Sequence, residues 1–204
     1  MPRARRTRLI VMIAAGVVVI TGALCYIEFA LRRPIGSGPA GPPVVAEAFA
    51  APWTDRRVHV VGVGDSITAG LGARSRSRSF FNRLIRTPDD DFAELHGTHL
   101  SAVLPNLTHE NLAVSGSTSL HHRSAISDGL APQDPDVFGL VVMTSGGNDL
   151  IHSYGQRPPC EGAMYGATLE QARPWIENFE SRLEAMIAAI EERFPGGCEI
   201  YLAD

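Results

Sequence analysis

The chain has 204 residues, 45% hydrophobic and 20% charged, with a formal net charge of −4. This length and globular composition fit one domain plus an appendage. Residues 1–33 carry six arginines against Glu28 alone, which leaves a body with 12 arginines and 21 acids, a balance that excludes a nucleic-acid partner.

The first predicted element is apolar. Arg3, Arg5, Arg6 and Arg8 precede a run from Leu9 to Ile27 that only Thr21 and glycines interrupt, and Arg32 and Arg33 follow it. About 20 such residues suffice to span a bilayer. Residues 1–8 are therefore expected as a cytoplasmic basic segment and 9–31 as a transmembrane signal anchor. The heavier basic cluster lies before the run, which places the rest of the chain outside the cytoplasm. Cleavage as a signal peptide, giving a secreted protein, is the alternative. It would call for a shorter apolar run of ~7–15 residues with a small-residue cleavage site close behind, whereas Ala46-Glu47-Ala48 lies well downstream. Residues 32–56, rich in Pro, Gly and Ala, read as a linker.

From residue 57 to 204 strands and helical stretches alternate. Strands are expected near Val58–Val63, Asn111–Val114 and Val137–Thr144, with helices at Phe80–Arg86 and from Ser119. Ile176, Phe179, Leu183, Met186, Ile187, Ile190 and Phe194 recur at helical spacing and mark a late helix whose stripe is core, with no cofactor role. Thr168-Leu169-Glu170-Gln171 can cap a preceding turn, and Pro174 suits a first helical position. Pro195-Gly196-Gly197 stops this helix ahead of a fourth strand from Glu199. Such alternation predicts an α/β fold, a doubly wound parallel sheet with helices on both faces.

Three strand tips carry the chemistry. The first strand runs into Gly64-Asp65-Ser66-Ile67, which sets a serine hydroxyl on a tight turn at a helix amino terminus, where unpaired N–H groups can meet a developing negative charge. The second runs into Ser115-Gly116-Ser117, and the third into Ser145-Gly146-Gly147-Asn148-Asp149. Ser, Gly and Asn at successive strand tips, in this order, resemble the SGNH (GDSL) hydrolase family, of whose four sequence blocks the first three are present. The resemblance implies a flavodoxin-like fold and a serine-dependent ester hydrolase with no cofactor and no metal. Its substrate would be a small-molecule, lipid or carbohydrate ester. It makes Ser66 the nucleophile and puts the Ser66 N–H, the Gly116 N–H and the Asn148 side chain in the oxyanion hole. Asp65 and Asp149 are expected to brace their turns.

The family's base is a histidine in a late Asp-x-x-His block, and no histidine follows His152. Asp149-Leu150-Ile151-His152 has the spacing, but it belongs to the third tip. The domain as given is therefore expected to lack its final strand, helix and base, to be nearly inactive, and to fold poorly by itself. A membrane-tethered, non-catalytic binding domain that keeps the same crevice is the rival. His152, Tyr154 and Arg157, with Tyr165, fall in a loop over the crevice and either bind substrate or pack that loop. His121-His122 with Asp128 completes no ligand set and reads as an exposed helical face. Gly62-Val63-Gly64 starts a dinucleotide fingerprint that Ile67 breaks. Cys160 and Cys198 are expected at opposite edges of the sheet, too far apart to pair unless the loop from His152 to Ala167 folds back.

Overall fold

The computed structural model describes residues 3–27, 44–153 and 159–203, and the chain divides into two compact units, residues 1–41 and 42–204. The first contains helix α1 (Arg3–Tyr26), which has no amphipathic stripe; its described side chains, from Ile10 to Ile27, are all exposed. Counted over the described residues, no helix is long and apolar enough to cross a membrane. The expected span over 9–31 lies partly outside them.

The second unit is built on four strands, β1 (Arg57–Val63), β2 (Leu107–Asn111), β3 (Val137–Thr144) and β4 (Cys198–Ala203). They form one parallel sheet in the order β2-β1-β3-β4. Because side chains alternate across a strand, β1 feeds two cores. Val61 and Val63 join Val141 and Met143 of β3 beneath α5 (Ser119–Ser124), the π-helical turn Ala125–Gly129 that extends it, and α7 (Leu169–Arg193). Val58 and Val60 pack on the other face against α3 (Phe80–Ile85) and α4 (Leu100–Val103). The sheet is thus covered on both sides, as expected of a doubly wound α/β fold.

Two expectations need correction. The second strand is Leu107–Asn111 rather than Asn111–Val114. It is an edge strand whose outer residues are polar, so it lacks an apolar run. Thr108 and Glu110 instead meet the His59 ring of β1 at 2.8 and 2.9 Å. The late helix begins five residues ahead of Pro174, which sits inside it. Thr168 and Gln171 cap that start reciprocally, with Thr168 N–H donating to Gln171 Oε1 at 2.9 Å. A satisfied capping box offsets the one backbone bond that proline forfeits. The part of the expected linker described here, from Val44, lies against the domain. Phe49 packs on the second core, and Trp53 N–H donates to the Val103 carbonyl at 2.8 Å.

Phe194 closes the first core at the end of α7, where it is 2% exposed. Gly139 of β3 makes room for the ring, since a Cβ there would lie 2.7 Å from Phe194 Cγ. Phe194→Ala should therefore cost about 3–5 kcal/mol, read as a lower urea midpoint at unchanged slope. No disulfide joins Cys160 to Cys198; Cys198 is the first residue of β4 and Cys160 lies in a bridge with Ala163 beyond helix α6 (Gly147–Ile151).

Candidate active site

The strand order decides the site. With β1 between β2 and β3, the Ser66 turn has the Gly116 turn on one side and the Asn148 turn on the other. All three lie at the carboxyl ends of parallel strands, where open α/β sheets bind ligands.

Ser66 is the first residue of α2 (Ser66–Ala69), and Asp65 is its N-cap, accepting the Ile67 N–H at 2.9 Å. Asp65 is buried and also accepts the Thr144 hydroxyl at 3.2 Å, which ties the first tip to the third. Gly64 makes this closeness possible. Its φ is +145°, and a Cβ there would overlap Thr144 Oγ1. The second tip is tied to the first from the other side. Val114 N–H donates to Gly64 O at 2.9 Å, and the Ser117 hydroxyl lies 2.9 Å from the same oxygen. Gly116 itself takes the left-handed φ of +83° that glycine adopts without strain.

Asn148, on α6 (Gly147–Ile151), spends one amide hydrogen on Ser117 O at 2.8 Å. Its second hydrogen has no acceptor among the described residues. Among the described residues, the N–H groups of Ser66 and Gly116 have no protein acceptor either. Bonds between Thr144 and Asp65, Ser117 and Gly64, and Asn148 and Ser117 tie the three turns that carry these donors to one another. The Ser66 hydroxyl has no side-chain partner among the described residues.

Asp149 is buried behind this group. It accepts the Ser119 N–H at 2.9 Å and the Ser119 hydroxyl at 2.5 Å, with Arg182 of α7 at 3.4 Å. Arg182 also pairs with Glu161 at 2.5 Å. His152 caps the end of α6 and lies exposed beside the second tip, with its Cε1 3.9 Å from where a Gly116 Cβ would stand. Tyr154 and Arg157 fall outside the described residues, and Tyr165 is exposed.

Two site residues escape the sequence reading. Arg182 reads only as a polar helix position. His122 was expected on an exposed face, yet it is 2% exposed. Its Nε2 lies 2.8 Å from Ser117 Oγ and its Nδ1 2.9 Å from Ser145 Oγ. Burial holds its imidazole below the ordinary histidine range, against the pull of Asp65 and Asp149. The sequence did carry a signal: Ser119, His122 and Ile126 share one helical face, and all three are buried. His121 faces elsewhere, accepting the Thr118 N–H at 3.1 Å, so the two histidines do not converge on a common ligand.

Beside the serine turn opens a cavity of about 870 Å³, bordered by Asp65 and Ile67, the two neighbours of Ser66. Phe80, Leu150, Trp175, Ile176 and Phe179 make its walls largely apolar.

The sheet order and these tips define an α/β protein with a serine at its crevice. The model of the GDSL-like Lipase/Acylhydrolase family matches residues 63–203, and the chain belongs to that family. Among solved structures, the chain is similar to a possible lipase from Chitinophaga pinensis DSM 2588, at 20% identity and a TM-score of 0.39, over 71% of this chain and 47% of that one. The chain thus spans about half the length of that neighbour. No curated protein matches it.

Proposed function

We propose that this protein is a membrane-anchored serine esterase in which Ser66 attacks the acyl carbonyl of an ester. What supports the reading is that Ser66, Gly116 and Asn148 each carry an N–H with no protein acceptor among the described residues, on three turns hydrogen-bonded to one another. The Ser66 oxygen bonds to the carbonyl carbon and its proton passes to a base. The negative charge that forms on the carbonyl oxygen falls to these donors, each worth about 2.7–4 kcal/mol of barrier. The C–O bond to the alcohol then breaks, the alcohol leaves with the proton, and water releases the acid from Ser66 in the same manner. The apolar cavity lined by Asp65 and Ile67, the neighbours of Ser66, suits the acyl part.

A serine hydroxyl needs a base to become nucleophilic, and no described histidine hydrogen-bonds Ser66. That fact favours the rival reading, a tethered domain that binds a ligand in the same crevice without cleaving it. Hydrolysis of short p-nitrophenyl esters by the full-length protein separates the two. Saturable turnover supports the esterase, and its absence at every acyl length favours the binding domain.

The anchor rests on the apolar run over 9–31 and on α1, whose lack of a polar stripe suits a lipid environment on all sides. Protease added to spheroplasts should remove residues 57–204 and spare the first thirty or so. Full protection of the domain would refute this orientation.

A further inference from the structure

We propose that His122 is the positioning residue of the oxyanion hole, a neutral Nε2–H imidazole that clamps the turn carrying Gly116 to the turn leading into Asn148. The proposal rests on the esterase reading and adds to it a residue outside the three family blocks.

The tautomer follows from counting hydrogens. Ser117 Oγ lies 2.9 Å from Gly64 O, 2.6 Å from Val114 O and 2.8 Å from His122 Nε2. Both carbonyls can only accept, so the single hydroxyl hydrogen goes to one of them. The serine oxygen must then accept, and the hydrogen it accepts is on His122 Nε2. A neutral ring with Nε2–H has a bare Nδ1. Ser145 Oγ, 2.9 Å away, donates to it. Every polar atom of the buried ring is thereby satisfied.

This ring joins the two turns that Ser66 needs. Ser117 follows Gly116, and its carbonyl holds the Asn148 amide at 2.8 Å. Ser145 starts the Gly146-Gly147 turn that sets the angle of α6, and it lines the cavity beside Ser66. Without the ring, Ser117 and Ser145 keep no common partner. Gly116 and Asn148 could then drift by fractions of an ångström, and a misplacement of about 1 Å is enough to cost 10²-fold in rate.

Charge around the ring comes from three elements. Asp65 at the β1 tip and Asp149 on α6 favour protonation, and His121 next to it on α5 opposes it. Arg182 of α7 is already held by Asp149 and Glu161. Protonation would turn Nδ1 into a donor and reverse the bond to Ser145, whose own hydrogen would have to turn away. The clamp is therefore a device of neutral pH and fails in acid.

The test uses the full-length protein with 15N-labelled histidine. One imidazole should show hydrogen on Nε2 and none on Nδ1, and should keep that state as the pH falls through the ordinary histidine value of about 6.5. His122→Ala should abolish that signal. It should lower kcat on p-nitrophenyl acetate about 10- to 100-fold with KM within about twofold, and His122→Gln, which can still donate to Ser117, should recover part of the loss. A buried imidazole with hydrogen on Nδ1, one that takes up its second proton at that ordinary value, or an unchanged kcat in His122→Ala would each overturn the proposal. Turnover that survives Ser66→Ala in the same assay would instead overturn the esterase reading, and the oxyanion role with it, while the spectrum still reports the tautomer.

Discussion

Ser66→Ala in the full-length protein should reduce hydrolysis of p-nitrophenyl acetate by about 10⁴–10⁶-fold, leaving only what oxyanion donors and binding achieve without a nucleophile. The substitution is clean on structural grounds. Asp65, not Ser66, supplies the cap of α2, and among the described residues the Ser66 hydroxyl has no side-chain partner. The melting temperature should therefore stay where it was. Asn148→Ala removes a donor and leaves the nucleophile in place, so its cost in kcat should be smaller, about 10²–10³-fold. That ordering separates catalysis from simple binding. A crevice that only held ligand would show both effects in affinity and neither in a chemical step. The measurement is kcat and KM for the two variants beside the parent at one pH.

Gly64→Ala should cost about 3 kcal/mol or more. Two penalties add. A residue with a side chain pays about 1–2 kcal/mol for a positive φ, and Gly64 stands at +145°. The new Cβ would also overlap Thr144 Oγ1 and lie 2.6 Å from the Thr144 carbonyl oxygen. Backbone cannot move aside as a flexible side chain does, and Thr144 is itself bonded to Asp65 and Thr68, at 3.2 and 2.8 Å. Strain would therefore spread from β1 into the Ser66 turn. Gly72→Ala is the control, because Gly72 has a φ of +83° and nothing within 4 Å of its added Cβ. It should lose only the backbone share, about 1–2 kcal/mol. Urea denaturation of the two variants would show the gap; equal losses would mean that the first and third tips are not packed as described.

What could be read in the sequence and what could not divide along a physical line. The Ser66, Gly116 and Asn148 turns were legible because local demands produce them: β-branched runs make buried strands, and small residues make the tight turns that follow. β3 was legible for the same reason, down to both of its ends, Val137 and Thr144. β2 was displaced because an edge strand is stabilised by its partner, here through His59, and leaves no apolar pattern of its own. The start of α7 was misjudged because Pro174 outweighs Thr168 and Gln171 in a local reading, although the capping bonds decide the start in the fold. His122 is the clearest case. Its partners are one residue in the neighbouring turn and one 23 positions away in the turn after β3, and helical spacing tells which face a residue shares but not what that face meets. Arg182, 33 positions from Asp149, was hidden in the same way.

The central claim is that Ser66 is a nucleophile served by open donors, and an organophosphate tests it without any assumption about the natural ester. Full-length protein treated with diethyl p-nitrophenyl phosphate should release p-nitrophenol to one equivalent and then stop, because the diethyl phosphoryl group, once on serine, is hydrolysed slowly. Mass spectrometry of the digested protein should place that group on the peptide containing Ser66, and Ser66→Ala should release nothing. Modification at another serine, such as Ser117 or Ser145, or no modification of a protein that is demonstrably folded, would contradict the account.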